Sequence, residues 1–131
     1  MNILKPVDIE DEIRLALSDY LTTYVRPLPA AYLLPNILIT VTGGTTANTV
    51  DTFTVNIDAR AETDAEAFDA LSTAIGVLEE QAKNQVGAIR NVTTNSLARW
   101  GVDPVRPDLK LCSATVLVIA HRVAQELPEN S

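Results

Sequence analysis

FTVNIDARAETDAEAFDAL, residues 53–71, changes its period halfway along. Phe53, Val55, Ile57 and Ala59 recur at every second position, with Thr54, Asn56, Asp58 and Arg60 between them, as in a strand with one buried face. From Thr63 the step becomes helical. Phe68, Leu71, Ile75, Leu78 and Ala82 form an apolar stripe, and Thr63 with Glu66 three residues later makes a capping box. The large members of that stripe contribute about 1.5–3 kcal/mol each on burial, enough to hold the helix on a sheet. A strand that runs directly into a helix predicts a mixed domain.

Upstream, PNILITVTGG (35–44) predicts a strand with Ile37, Ile39 and Val41 on one face, broken at Gly43 and Gly44. Residues 51–60 return antiparallel to 36–42. The intervening GGTTANT suggests a phosphate cradle only superficially. No Lys-Ser/Thr pair follows it and no helix begins there, so a hairpin connection is expected. An earlier helix starts after Pro6, capped by Asp8, with Glu10, Asp11 and Glu12 in its first turn. Complementarity to the helix dipole accounts for those acids without a metal. Ile9, Ile13, Ala16, Leu17, Tyr20, Leu21 and Tyr24 extend the helical pattern to about Val25, before Pro27 and Pro29 stop it.

Downstream, a third strand is expected within residues 86–99, then the loop VDPVRPD. The last strand, residues 109–123, is apolar on both faces, because Val116 and Val118 alternate with Leu117 and Ile119. Such a strand is expected to be covered on both sides. The expected fold is therefore a single α+β domain over residues 1–131, with its core in 7–124 and a polar tail at 125–131. It has a small, mainly antiparallel sheet with two helices on one face, in the order α-β-β-α-β-β.

A composition of 47% hydrophobic and 21% charged residues belongs to a folded chain rather than a disordered one. The net charge of -7 opposes binding to a phosphate backbone as the main task. Residues 1–82 hold thirteen acids and four bases, and residues 83–131 hold four acids and six bases. That division is either ordinary solvated charge or an acidic and a weakly basic flank that serve association. No apolar run reaches the roughly 20 residues of a membrane span, and MNILKPVDIEDEI lacks a signal-peptide pattern. A soluble protein made in a cytoplasm is expected.

One cysteine, Cys112, allows no internal disulfide and sits in an apolar alternation as a small hydrophobe. His121, the one histidine, closes the last strand beside Arg122 and is expected to face solvent. Without Gly-x-Ser-x-Gly, His-Glu-x-x-His or a dinucleotide fingerprint, no catalytic set, metal or cofactor is expected. Two surface features stand out instead. Asp58, Arg60 and Glu62 occupy alternate positions on one strand face, either pairing locally on a solvated surface or forming a docking edge. Arg99 and Trp100 belong to the residue types that dominate interfaces, although Trp100 is equally suited to lie as a lid on the core.

The order of elements, the segment IDARAETDAEAFDAL and the closing pattern P-D-x-x-x-x-x-A-T-V-L-V-I-A-H-R resemble the tail terminator proteins of long-tailed bacteriophages, also called tail completion or minor tail proteins. The likeness spans about residues 7–124. It implies a hexameric ring of identical subunits seated on the tail tube at the neck end of the virion. Such a ring ends tube polymerisation and presents a surface to the head connector or neck protein. DNA passes through its lumen without specific binding, which an acidic lumen favours. By position, Asp58, Arg60 and Glu62 match the family's strand-to-helix segment in residue type. Gly43 and Gly44 begin the hairpin connection, which in such rings reaches a neighbour or the tube. Two other readings stay open: a neck or head-closure component, and a small ferredoxin-like enzyme or ligand-binding domain using Asp58, Glu62 or His121.

Overall fold

The computed structural model describes residues 1–48 and 50–129. Along the chain run β1 (Asn2–Lys5), α1 (Ile9–Leu17), β2 (Thr23–Val25), β3 (Asn36–Ala47), β4 (Val50–Ala61), α2 (Asp64–Lys83), β5 (Ile89–Val102), β6 (Lys110–Ala120) and β7 (Val123–Glu126). Five strands form one sheet in the order β2-β3-β4-β6-β5, and β1 pairs with β7 in a separate ribbon.

The alternation in residues 53–61 sorts the sheet into two faces. Val55, Ile57 and Ala59 lie fully buried, and their ladder partners Ile39, Val116, Ala114 and Cys112 are buried with them. Both helices close over this face, α1 through Ile9, Ile13 and Leu17 and α2 through Ala67, Ala70, Leu71, Ala74, Ile75, Leu78 and Ala82. Four alanines in the α2 stripe let its backbone come close to the sheet, where larger side chains would hold it off. Local signals fix where α2 begins. Glu66 N donates to Thr63 Oγ1 at 3.2 Å, and Thr63 Oγ1 donates to Glu66 Oε1 at 3.1 Å.

The hairpin of β3 and β4 carries the long antiparallel register from Asn36↔Arg60 to Ala47↔Val50, with a bulge between Val41 and Gly43. Here the structure corrects the expected end of the strand, because β3 continues through both glycines. Gly44 is required at its position. A Cβ there would stand 2.9 Å from the Thr52 carbonyl oxygen, whereas one on Gly43 would meet nothing within 4 Å.

The expected order α-β-β-α-β-β is also corrected, to β-α-β-β-β-α-β-β-β, and the single mainly antiparallel sheet to a mixed five-stranded sheet plus a ribbon. Three short strands make the difference. The first helix ends at Leu17 rather than near Val25, and Thr23–Val25 pairs parallel with Ile37–Ile39. Tyr20, Leu21 and Tyr24 satisfy helical spacing. The run Thr22, Thr23, Tyr24, Val25 nevertheless suits a pleated edge better, and a backbone partner is at hand: Ile37 N donates to Thr22 O at 2.9 Å. The other two strands join the ends of the chain. Asn2–Lys5 pairs antiparallel with Val123–Glu126, so part of the expected polar tail is ladder. Residues 130 and 131 of that tail lie outside the described residues. Neither four-residue segment has a buried stripe to announce it, and seven of the eight residues are exposed.

β6 lies between β4 and β5 in the sheet, and the helices cover only one of its two apolar faces, so the expected cover on both sides is corrected to cover on one. Val116 and Val118 are buried beneath the helices, and Leu117 and Ile119 are half-buried on the other face.

Candidate docking surface

Asp58, Arg60 and Glu62 do not form one row. Asp58 and Arg60 share the sheet face that the helices leave free, but β4 ends at Ala61 and Glu62 stands exposed beyond it. Asp58 accepts a 2.6 Å hydrogen bond from Ser113 Oγ, its ladder partner on β6. One step along, Asn56 Oδ1 accepts from Thr115 Oγ1 at 2.9 Å and from Arg99 Nη2 at 3.3 Å, while Arg99 Nη1 donates to Ser96 Oγ at 2.8 Å. These bonds cross β4, β6 and β5 and give the open face a polar lattice held by side chains.

Arg60 behaves differently from a surface arginine. It is 8% exposed, and its Nε donates to Asp103 Oδ2 at 2.7 Å. Asp103 Oδ1 in turn accepts from the backbone N–H of Val105 at 2.8 Å and of Arg106 at 3.1 Å. Burial alone raises the Asp103 carboxyl, but the Arg60 bond and the two backbone donors outweigh it and hold its pKa below the usual value. Sequence spacing could not anticipate this pair, because its members are 43 residues apart.

The apolar part of the free surface lies on β5. This strand ends the sheet order, so among the described residues no strand lies along one side of its backbone. Its ladder with β6 is interrupted between Ile89 and Asn91, Thr94 and Ser96, and Ser96 and Arg99, with Ala98 at a φ of +48°. Past the last interruption, Trp100 turns to the helix side and stacks on Phe68 of α2, ring centroids 6.4 Å apart and planes 23° from parallel. Trp100 remains 52% exposed and Phe68 44%, and Leu97 and Val102 of the same strand are also exposed. Phe68, expected in the buried stripe, is thus a surface residue. The signal was present in the spacing, since Ala67, Ala70, Leu71, Ala74, Ile75 and Leu78 already complete a stripe that leaves Phe68 on its flank.

Gly43 and Gly44 are exposed in β3 and border a shallow depression with Val41, Thr45, Thr46 and Phe53. His121 is exposed, its Nε2 3.5 Å from Arg90 Nη2. Cys112 is fully buried, and burial followed by the nearby Asp64 charge pushes its thiol pKa up, away from nucleophilic use. Among the described residues no group of three His, Cys, Asp or Glu side chains is placed to hold a metal ion. No helix among them is long and apolar enough to cross a membrane.

In comparison with known proteins, no family model matches the chain and no curated protein matches it.

Proposed function

We propose that this chain is a structural assembly subunit, a terminator that caps a phage tail tube as a ring of its own copies and offers the opposite side of that ring to the head connector or neck protein. The observation that carries the assembly reading is the β5 edge: a strand paired with β6 along one side only, bearing exposed Leu97, Trp100 and Val102, with Phe68 stacked behind and Arg99 beside. Exposed large apolar groups with a Trp and an Arg among them have the composition of an interface centre. A second copy of the chain is the occupant in this reading, in a head-to-tail contact that closes into a ring. The likeness of residues 57–71 and 107–122 to tail terminators directs the ring to the end of the tube, and the net charge of -7 suits a lumen through which DNA slides.

Electron microscopy of particles assembled without the protein tests this. Overlong tubes are expected. Tubes of normal length that fail to join heads would move the protein to the neck, and normal infectious particles would remove it from the tail. Loss of turnover in a purified Asp58→Ala, Glu62→Ala or His121→Ala variant, with assembly untouched, would favour an enzyme.

A further inference from the structure

The five-stranded sheet has a second open edge, opposite β5. β2 covers β3 only along Ile37–Ile39, and among the described residues no strand lies along the outer side of β3 from Thr40 to Ala47. Just past β2, the Val41 N–H is met by a side chain, donating to Glu10 Oε1 at 3.1 Å. Gly43 to Ala47 are exposed, and neither lysine nor proline, two common blocks on a free edge, occurs in β3 or β5. The two edges match row by row. Thr45 lies in row with Thr52, Ile119 and Asn91, and Gly43 with Thr54, Leu117 and Thr93. Thr23 of β2 lies in row with Ile37, Ala59, Cys112 and Trp100. β5 is regular over Asn91–Thr94 and again over Arg99–Val102. The first stretch is level with the free part of β3 and the second begins level with β2. The irregular residues between them stand level with the step where β2 stops and Glu10 takes over.

We propose that the sheet continues from copy to copy, β5 of one subunit pairing antiparallel with the β2–β3 edge of the next. This rests on the ring reading and names the surface that β5 meets. Strand direction favours it. β3 with β4, β4 with β6 and β6 with β5 are each antiparallel, and β2 is parallel to β3, so β5 runs opposite to both strands of the far edge. A copy rotated about an axis along the strands keeps those directions and presents its far edge to β5, the head-to-tail relation that closes a ring. Charge favours it as well. Residues 86–102 contain Arg90 and Arg99 and no acid, and neither arginine has a carboxylate partner among the described residues. Residues 8–26, which form α1 and β2 beside β3, hold five acids and two arginines. The acidic and basic parts of the chain thus lie toward opposite edges of one sheet.

Oxidative cross-linking of the protein assembled on tail tubes tests the pairing. Thr45 and Asn91 are exposed, so Thr45→Cys with Asn91→Cys is expected to link chains up to the closed ring, and each single variant to stay unlinked. Thr45→Cys with Thr93→Cys covers a shift of two residues in register. Hydrogen exchange on the unaltered chain is the second measurement and does not depend on the variants folding. Peptides 42–47 and 90–95 are expected to exchange about tenfold slower on assembly, with 112–118 unchanged. Rings that form on tubes without the cross-links and without added protection overturn the edge pairing and leave the ring reading standing. Protection of 90–95 without 42–47 puts another surface against β5 and overturns it too, as do linked dimers of the Asn91→Cys protein alone, which would mean a twofold contact of β5 with β5. If the parent chain forms no ring on tubes, the ring reading falls. The free Thr45→Cys, Asn91→Cys protein at high concentration then decides the edge: a ladder of linked chains keeps it, and unlinked chains overturn it.

Discussion

Arg122 holds Asp51 through two hydrogen bonds, Nε to Oδ2 at 3.0 Å and Nη2 to Oδ1 at 3.1 Å, and so ties the chain just past β6 to the start of β4. Thr46 Oγ1 adds a third bond to the same carboxylate at 2.6 Å, so that β3, β4 and the end of β6 meet on one side chain. The Arg122 bond first, and the Thr46 bond second, lower the Asp51 pKa against a smaller opposing effect of burial. A depressed carboxylate pKa gives stability that is fully present above the unfolded value of about 3.9 and is lost as pH falls through the folded value. Asp51→Asn is therefore expected to lower the urea midpoint most at neutral pH. The gap between variant and parent should close below about pH 4. A gap independent of pH between 7 and 3 would show that the Asp51 charge plays no part.

Arg60 and Asp103 form a buried ion pair, with side chains 10% and 4% exposed. Removing one partner leaves the other charged and unsolvated, so Asp103→Ala is expected to cost about 3 kcal/mol in chemical denaturation. Replacing both, as Arg60→Met with Asp103→Leu, removes the charges together and should cost less than Asp103→Ala alone. A double variant less stable than that single one would contradict this account of the pair.

Trp100 and Phe68 are half-exposed, so their contribution within one copy is small. A double-mutant cycle with Trp100→Ala and Phe68→Ala should give a coupling of about 0.5–1 kcal/mol, the range for stacked rings. In the ring reading, Trp100→Ala is expected to abolish self-association on tail tubes, read by native mass spectrometry, while the thermal midpoint of the free chain moves by only a few degrees. Intact rings built from the Trp100→Ala protein would remove β5 from the interface.

Adjacent glycines in β3 should respond in opposite ways. Gly44→Ala forces a methyl group to 2.9 Å from the Thr52 carbonyl oxygen, which is backbone and cannot swing aside. A loss of about 1–3 kcal/mol is expected. Gly43→Ala meets open space and should be neutral or slightly stabilising. Equal losses at the two positions, measured by equilibrium unfolding, would mean that contact with Thr52 is not what selects glycine.

Sequence by itself determined the features whose cause lies within a few residues. The alternation from Phe53 to Ala59 makes a strand wherever that segment goes, and Thr63 with Glu66 starts α2 through bonds internal to its first turn. The antiparallel return of 51–60 on 36–42 follows from a short connection. Tertiary structure alone decided what depends on distant partners. Thr23–Val25 has helical spacing and became a strand because β3 offered it a backbone ladder, and Asn2–Lys5 became a strand only by meeting Val123–Glu126. Arg60 joined Asp103 rather than Asp58 or Glu62, and Phe68 left the core for Trp100. Periodicity and capping are local energies, whereas edge pairing and burial of a charge belong to segments that approach only when the sheet closes.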